Sequence, residues 1–348
     1  MGFQVLFVGR QLKNSPALPV REYRMHRMKL VFTKEIWFYA EFNLRLLFFL
    51  LFRKADLLVS NDLDTIMPNY LISKLKRIPL IYDSHELFTE VPELINNSFA
   101  RNFWLKIEKG ILPHLSFTAT VNDSIAAIYK ERYGVEMTVI RNIPERINDS
   151  EVRISREELG LPENKKILII QGSGINLHRG SEEAVEAMQW LEDTLLLIIG
   201  GGDVIPLLKE KVQTLNLSEK VWFLPRQPYK KLLQYTWNAD IGLSLDKDTN
   251  LNYRYSLPNK LFDYIQANIA VLASDLPEVK KVVLEFQVGE IVNDMNPEML
   301  AQQIHKLLKN EEKLRGYKEA ALRASEILCW ENEEQSLRNL ISETMVKK

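Results

Sequence analysis

The chain has 348 residues, of which 46% are hydrophobic and 26% are charged, and its formal net charge is −1. This length suits two domains of ordinary globular composition, and the near-neutral charge gives no support for nucleic-acid binding. The single cysteine, Cys329, excludes an intrachain disulfide framework and a cysteine-rich zinc site. No charged segment followed by an apolar core opens the chain, so we expect a cytoplasmic protein without a signal peptide.

Segments typical of strands and of helices alternate through the first part of the chain, which predicts parallel sheets covered by helices. The predicted strands are 4–8, 57–60, 80–82, 117–121 and 138–140, and the predicted helices are 36–52, 66–75, 101–111 and 123–132. Residues 142–155 contain a proline and several polar side chains, and we predict a linker there. The apolar run at 46–52 is far shorter than the roughly 20 residues that span a bilayer, so it predicts a buried or interfacial helix.

The same alternation begins again after the predicted linker. The predicted strands there are 166–171, 195–200, 221–224, 241–245 and 270–274, with an edge strand at 289–292. The predicted helices are 181–190, 205–215, 229–238 and 259–267, followed by helical patterns at 297–310 and from 312 onward. Two doubly wound halves of similar size predict a ligand-binding cleft between two domains.

The most informative segment is 255–275, which predicts a loop, a helix and a buried strand. Pro258 suits the first turn of the helix, and Asn268 suits the left-handed conformation that ends one. Lys260 and the free N–H groups of the helix N-terminus suit a phosphate, and Asp263 lies one turn further, within reach of a hydroxyl of the same ligand. This pattern predicts a phosphate-plus-sugar ligand; the alternative is an ordinary amphipathic helix with a surface lysine and aspartate.

This segment resembles the donor-binding helix of family 4 glycosyltransferases, whose pattern is Glu-x7-Glu followed by a small-residue turn and a strand. Residues 258–264, Pro-Asn-Lys-Leu-Phe-Asp-Tyr, are common in one bacterial branch of that family. Asp263 falls on the second acidic position, which in the family binds the ribose of a nucleotide sugar, whereas Tyr255 replaces the first. The resemblance implies an α/β protein of the GT-B fold, with two Rossmann-like, doubly wound domains that face a cleft.

The segment 171–180 follows a predicted strand and precedes a helix. In the family, a Lys-Gly or Arg-Gly pair at this place contacts the donor diphosphate, and Arg179-Gly180 matches it. Arginine binds phosphate oxygens bidentately, and small residues let backbone N–H groups approach an anion. Gly172 and Ser173 stand where the family usually has an upstream arginine. The alternative is a glycine-rich turn with an exposed arginine.

Three further places complete the predicted donor site. Gly201 lies in a Gly200–Asp203 stretch that resembles the family's Gly-x-Gly, although a structural turn explains it equally well. Arg226 corresponds in position to a family segment that holds the nucleotide base. Asn259 begins the predicted donor helix beside Lys260. The polar loop 247–252 lies near that helix, but such loops are usually only solvated.

Two polar motifs follow predicted strands in the first half. Asp83 and His85 match an Asp-x-His motif that faces the transferred sugar in many family members, and Glu86 and Glu90 are candidates only because they are close to it. Histidine hydrogen-bonds sugar hydroxyls and carries charge near neutral pH. The segment 61–64, Asn-Asp-Leu-Asp, either lines the same cleft or caps the helix that begins near Thr65.

A basic stretch at 21–29 precedes three aromatic residues at 37–39 and the apolar run at 46–52. Together these residues suit peripheral contact, through 21–52, with an anionic membrane that carries a lipid-linked acceptor. The alternative is a basic surface loop followed by a core helix.

The opening of the chain, Met1–Arg10, resembles the second strand of the family's first domain. The resemblance therefore implies that the first βα unit is absent and that the natural start lies about 30 residues earlier. The alternative is that residues 4–8 are the first strand of an abbreviated sheet.

Together these observations predict an acceptor-side Rossmann-like domain at 1–145, a nucleotide-sugar donor domain at 155–325, and a helix at 326–348 that returns to the first domain. The resemblance implies a retaining, metal-independent hexosyltransferase without a cofactor. Its donor would be a UDP- or GDP-type sugar and its acceptor a glycan or lipid-linked sugar of surface polysaccharide synthesis. Arg179 and Lys260 would stabilise the leaving diphosphate. The alternatives are an epimerase on the same fold and an inactive nucleotide-sugar-binding protein; an oxidoreductase is disfavoured because a Gly-x-Gly-x-x-Gly fingerprint is absent.

Overall fold

A computed structural model describes residues 1–13, 15, 17–18, 20–147 and 152–346. The chain divides into two compact units, one formed by Met1–Arg141 with Glu334–Lys348 and the other by Asn142–Glu333. Residues 148–151 of the predicted linker and residues 347–348 lie outside the described residues. Within the described ranges, no helix combines the length and the apolar character that crossing a bilayer requires.

The described residues of the first unit form two separate parallel sheets. One contains β1 (Leu6–Gln11) and β2 (Arg24–Lys29), and the other contains β3 (Leu58–Asn61), β4 (Leu80–Ser84), β5 (Phe117–Thr120) and β6 (Thr138–Val139) in chain order. The helices are α1 (Glu35–Leu51), α2 (Ile66–Lys76), α3 (Pro92–Ile95), α4 (Ser98–Ile111) and α5 (Asp123–Tyr133). Strand β1 overlaps the predicted first strand 4–8, and it pairs with β2 in a sheet of two strands that is separate from the four-stranded sheet.

Strand β2 corrects an expectation, since the alternative interpretation of the basic stretch was a loop. The stretch contains a strand, although most of its side chains are basic, and Met28 in this strand is buried. Met28 joins a cluster with Phe38, Phe42 and Leu46, which lie four residues apart and therefore on one face of α1. The apolar face of α1 thus covers β2.

The last helix, α14 (Trp330–Val346), belongs to the first unit from Glu334 onward. Leu340 of this helix packs against Ile81, Phe117 and Ala119 of the four-stranded sheet. The C-terminal helix therefore contributes to the core of the first unit.

The second unit is built on a parallel sheet that contains six strands among the residues described there. The strands are β7 (Lys166–Gly172), β8 (Thr194–Gly200), β9 (Val221–Leu224), β10 (Ile241–Ser244), β11 (Ala270–Ala273) and β12 (Gly289–Ile291), and their order across the sheet is β12-β11-β10-β7-β8-β9. The helices are α6 (Ser181–Ala187), α7 (Ile205–Thr214), α8 (Tyr229–Trp237), α9 (Leu251–Arg254), α10 (Asn259–Gln266), α11 (Pro277–Glu285), α12 (Pro297–Lys309) and α13 (Glu311–Ile327). The strand order reverses between β7 and β10, and loops diverge at the carboxyl end of such a switch point.

Both faces of this sheet are buried. Along β7, Ile167 and Ile169 belong to one apolar cluster, whereas Leu168 and Ile170 belong to the cluster on the opposite face. Successive side chains of a strand point to opposite faces, so a strand with helices on both sides needs a continuous apolar run. This explains why the second half gives clear strand signals in the sequence.

Helix α10 ends as its sequence predicts. Asn268 has a φ of 57°, its N–H donates to Ile265 O (3.0 Å), and the Ile269 N–H donates to Tyr264 O (3.2 Å). These two bonds form a Schellman motif, in which a left-handed residue closes the last turn of the helix. The prediction for Asn268 is confirmed, and the turn leads the chain directly into β11.

Candidate functional site

A cavity of about 270 Å³ lies at the carboxyl ends of β7 and β8 in the second unit. Its lining residues are Gln171, Gly172, Ser173, Ile199, Gly200, Arg226, Gln227, Leu232, Asn259, Lys260 and Asp263. Predicted donor-site residues therefore meet here from three separate parts of the sequence: the end of β7, the loop after β9 and the start of α10. Arg179, Gly180 and Gly201 are not among the lining residues.

The floor of the cavity depends on a close approach of two strand ends. Gly200 has a φ of 142°, and a Cβ atom there would collide with the carbonyl oxygen of Gly172 on the neighbouring strand. Only glycine accommodates both conditions. The side chain of Arg226 covers Gly201, because a Cβ atom at Gly201 would lie 3.1 Å from Arg226 Nε. Gly200 and Gly201 thus leave room for the neighbouring strand end and for the Arg226 side chain at the edge of the site.

Arg226 supplies a positive charge at the end of β7. Its Nη2 donates to the carbonyl oxygen of Ser173 at 2.6 Å, and the residue is otherwise exposed. Gly172 and Ser173 carry no charge, so the cation at this strand end comes from the loop after β9. Sequence position indicated a phosphate or base contact for Arg226 without showing this proximity.

Asp263 is half-buried on the wall of the cavity and is held from two sides. Its Oδ2 accepts a hydrogen bond from Gln171 Nε2 (2.9 Å) and its Oδ1 accepts one from the Tyr229 hydroxyl (3.0 Å). Gln171 is fixed in turn, because its Oε1 accepts from Thr236 Oγ1 (2.7 Å). Burial raises the pKa of Asp263 to about 6, although both hydrogen bonds act in the opposite direction. Each carboxylate oxygen retains a lone pair that can accept a bond from a ligand hydroxyl.

The N-terminus of α10 borders the same cavity. Pro258 precedes the helix in an extended conformation, with φ −73° and ψ 137°, and no side chain caps the first turn. The N–H groups and the positive dipole end at Asn259 and Lys260 therefore suit an anion. This geometry brings a site suited to phosphate within one helical turn of the Asp263 carboxylate.

A buried carboxylate joins two of the predicted catalytic cations. Asp246 Oδ2 lies 3.4 Å from Arg179 Nη1, and Asp246 Oδ1 lies 3.3 Å from Lys260 Nζ. The Asp246 side chain is only 2% exposed. The guanidinium of Arg179 also lies over the ring of Tyr253, 4.7 Å from its centre. No sequence motif includes Asp246, whose only local signal is that it is the first charged residue after an apolar strand.

Gly180 allows this arrangement to form. It has a φ of 73°, and a Cβ atom there would collide with the carbonyl oxygen and side chain of Leu245. The loop before α6 therefore lies directly against the end of β10, which brings Arg179 beside Asp246. A direct contact between Gly180 and a donor stays a prediction.

In the first unit, His85 lies between two aspartates at neighbouring strand ends. Its Nε2 is 3.2 Å from Asp83 Oδ2, and its backbone N–H donates to Asp62 Oδ1 (2.8 Å). The hydrogen bond with Asp83 is the main cause of a raised pKa for His85, and burial raises the pKa values of Asp62 and Asp64 to about 6. The interpretation that the segment 61–64 caps the helix beginning near Thr65 is wrong, because the N-cap of α2 is Thr65 and its first turn receives no side-chain cap, while the Asp62 carboxylate accepts from His85.

Glu90 has a structural environment. Its buried carboxylate accepts from Arg101 Nη2 at 2.9 Å and lies 2.9 Å from Arg132 Nη2. Two arginines thus balance the charge of the buried Glu90 carboxylate. These contacts hold neighbouring helices together, and closeness to His85 in the sequence does not indicate this role.

Comparisons with known proteins agree in both units. A family model described as "Glycosyl transferases group 1" matches residues 151–324, half of the chain, and one described as "Glycosyltransferase Family 4" matches residues 1–149. No curated protein sequence gives a significant match.

Solved structures resemble the whole chain. Sucrose-phosphate synthase from Thermosynechococcus elongatus has a TM-score of 0.78 at 17% identity, covering 100% of this chain and 90% of that one. HepE from Anabaena in complex with UDP has a TM-score of 0.72 at 14% identity, covering 98% and 100%. A glycosyltransferase from Rickettsia africae has a TM-score of 0.68 at 16% identity, covering 94% and 86%. These likenesses confirm the predicted α/β fold with parallel sheets, of the GT-B type.

Proposed function

The chain belongs to the glycosyl transferases of group 1, and on that premise we propose that it is a retaining transferase that moves a hexosyl or deoxyhexosyl group from a nucleotide-diphosphate sugar. The observation that carries this proposal is one cavity lined by both Lys260, at a helix N-terminus, and the half-buried carboxylate of Asp263. The first suits a diphosphate, and the second suits a ribose hydroxyl. A UDP-type donor is supported by the UDP and UDP-glucose bound to the similar HepE.

The proposed chemistry places positive charge where the leaving diphosphate develops negative charge. Arg179, Lys260 and the dipole of α10 would stabilise that charge, which is usually the largest contribution in such a site. Because these groups belong to the protein, we propose that transfer needs no divalent metal ion. Turnover that is unchanged by EDTA would support this proposal, and a requirement for Mg²⁺ or Mn²⁺ would contradict it.

On the acceptor side, we propose that His85 and Asp83 contact the transferred sugar or the acceptor hydroxyl. The imidazole is held by the Asp83 carboxylate, and its raised pKa favours a hydrogen-bond donor at neutral pH. The proposed acceptor is a glycan or a lipid-linked sugar of surface polysaccharide synthesis. Product analysis with and without such acceptors also separates a transferase from an epimerase, which needs no acceptor.

We further propose that residues 21–52 contact the anionic inner face of a membrane. Strand β2 exposes Arg24 and Lys29, and α1 exposes Trp37 (64%) and Phe48, with Phe52 (82%) just beyond its end. Basic side chains beside exposed aromatic rings suit an anionic bilayer that presents a lipid-linked acceptor. Sedimentation with anionic vesicles should be lost in neutral vesicles or at high salt, and salt-independent sedimentation or none at all would contradict the proposal.

A thermal-shift screen of UDP and GDP sugars, followed by measurement of nucleotide release, tests the main proposal. We expect one nucleotide sugar to raise the melting temperature and to be turned over in the presence of an acceptor. A nucleotide sugar that binds without any release of nucleotide would instead indicate an inactive binding protein. A complete absence of nucleotide binding would sink the proposal.

A further inference from the structure

The buried carboxylate of Asp246 has two partners, and both are cations that the proposed function assigns to the donor diphosphate. Lys260 and Arg179 lie at 3.3 and 3.4 Å from its two oxygens. The backbone there is also fixed, since Ser274 Oγ donates to Asp246 O at 2.6 Å. A carboxylate that is 2% exposed is costly unless it is paired, so its place in the site needs a physical reason.

Arg179 is held in a way that leaves hydrogen-bonding capacity unused. Asp246 binds one end of its guanidinium, and the ring of Tyr253 lies against its face. Among the described residues, its buried Nε has no hydrogen-bond partner. A phosphate oxygen is the kind of acceptor that would satisfy this N–H.

Resting on the proposed function, we propose that Asp246 is a positioning residue whose carboxylate holds Arg179 and Lys260 side by side as one diphosphate-binding pair. Without it, the two cations keep their positive charge beside the cavity but lose their fixed alignment, because they repel each other. The carboxylate also reduces the charge of the three groups from +2 to +1. It therefore weakens the attraction for the released nucleoside diphosphate as well as aligning the cations for turnover.

The chain offers a matched control on the same strand. Asp240 lies just before β10, is 10% exposed, and pairs with Arg156 Nη2 at 3.1 Å and Lys318 Nζ at 3.2 Å. It therefore has the same two kinds of partner at the amino end of the sheet, away from the cavity. Asp240→Asn removes an equivalent charge without touching the proposed site.

The test compares Asp246→Asn and Asp240→Asn with the wild-type protein by calorimetric titration with UDP and by donor turnover. For Asp246→Asn we expect about fivefold tighter UDP binding and about tenfold lower kcat, because the cations gain net charge and lose alignment. Asp240→Asn should leave both quantities unchanged. If Asp246→Asn keeps the wild-type kcat, or binds UDP no more tightly than the wild type, the inference is wrong. Weaker UDP binding would indicate a merely structural role and would also overturn it.

A second variant covers the case in which Asp246→Asn does not fold. Asp246→Glu keeps the charge and moves the carboxylate by one methylene, so UDP affinity should stay near that of the wild type while kcat falls about fivefold. Wild-type kcat in this variant would contradict the inference.

The failure of the proposed function is separable from the failure of this inference. If the wild type binds no nucleoside diphosphate and turns over no nucleotide sugar, the proposed function fails. Inorganic pyrophosphate then tests the pair alone: tighter binding by Asp246→Asn than by the wild type supports the inference. Equal or weaker binding, or no binding to either protein, overturns it.

Discussion

The two ends of strand β10 carry the same charge arrangement in different surroundings. Asp240 precedes the strand and Asp246 follows it, and each carboxylate pairs with one arginine and one lysine. At the amino end, Asp240 also accepts a hydrogen bond from the Ile167 N–H (3.0 Å), and Arg156 donates to the carbonyl oxygen of Asn238 (2.8 Å). These bonds connect neighbouring elements of the second unit, and none of the predicted site residues takes part in them.

At the carboxyl end, the two partners of Asp246 can still bind a ligand. Lys260 lines a cavity, and the Nε of Arg179 has no partner among the described residues. A buried ion pair is therefore not a functional signal by itself, because structural pairs have the same composition. What distinguishes the two ends is an unfilled hydrogen-bonding group at the edge of a parallel sheet where ligands bind.

The largest expected effect is on turnover at the carboxyl end. Arg179→Ala and Lys260→Ala should each lower kcat about 100- to 1000-fold, because each removes a positive group from the leaving diphosphate. Single-turnover measurement of donor cleavage gives the value, and circular dichroism checks the fold. Lys318→Ala is the matched control at the amino end and should keep wild-type kcat. A comparable loss of turnover in Lys318→Ala would break the distinction between the two ends.

The next effect is on stability at the amino end. Asp240→Asn should lower the free energy of unfolding by about 3 kcal/mol, because it leaves Arg156 and Lys318 without their carboxylate. Burial opposes ionisation of Asp240, but Lys318, the Ile167 N–H and Arg156 together hold its pKa below the ordinary value. Its contribution to stability is thus present above the pKa of an unfolded aspartate and is lost as the pH falls through the lower folded-state pKa. Urea unfolding at several pH values measures this, and a variant as stable as the wild type at neutral pH would refute it.

The ionised Asp263 carboxylate should lower the stability of the folded protein, whereas the ionised Asp240 carboxylate raises it. Because burial raises the pKa of Asp263 to about 6, the folded protein favours the protonated acid, and stability falls as the pH rises from about 4 to about 6. Asp263→Asn should therefore be more stable than the wild type at neutral pH and gain no such advantage below about pH 4. It should also bind UDP about tenfold more weakly, because the amide offers one acceptor oxygen in place of a charged pair.

The matched measurement for Asp263 is Asp240→Asn under the same conditions. For Asp263→Asn, the free energy of unfolding at neutral pH should rise while the affinity for UDP falls. For Asp240→Asn, the free energy of unfolding should fall while the affinity for UDP stays the same. If Asp263→Asn were destabilised and bound UDP normally, Asp263 would be a structural residue like Asp240.

Much of the second unit was predictable because its strands are buried on both faces and therefore appear as continuous apolar runs. The ends of α10 were also predictable, since Pro258 and Asn268 have backbone preferences that act locally. Helix α11 was overlooked, although Pro277 and Glu278 in its first turn are ordinary helix-start signals. Strand β2 was missed because its basic residues conceal the single buried face.

The sequence indicates candidate site residues where a motif is local, and it does not show relations that arise only when distant segments fold together. Arg179, Asp246 and Lys260 lie far apart in the sequence, so no local pattern shows that one carboxylate joins the two cations. The steric role of Gly180 depends on Leu245, which directly follows the distant strand β10. Such relations follow from the order in which β7 and β10 are paired, and composition and spacing do not encode them directly.

The smallest expected effect concerns the Asp83–His85 pair at the carboxyl edge of the first unit's sheet. The hydrogen bond that the His85 imidazole donates to Asp83 is the main reason that the pKa of His85 is raised. The pair therefore contributes stability below the pKa of an unfolded histidine, and this contribution is lost as the pH rises through the higher folded-state pKa. We expect this contribution to be below about 1 kcal/mol even at its largest, because both side chains are about one-third exposed.

A double-mutant cycle isolates this small contribution from its neighbours. The Asp62 carboxylate accepts from the backbone of His85, and burial raises the pKa of Asp62 to about 6, so a single variant would mix two titrations. Asp83→Asn, His85→Gln and the double variant remove that common background when their free energies of unfolding are combined. A coupling energy that disappears at high pH would identify an ion pair that depends on the charge of His85. A coupling that persists unchanged would make Asp83 a hydrogen-bond partner whose contribution does not depend on the charge of His85.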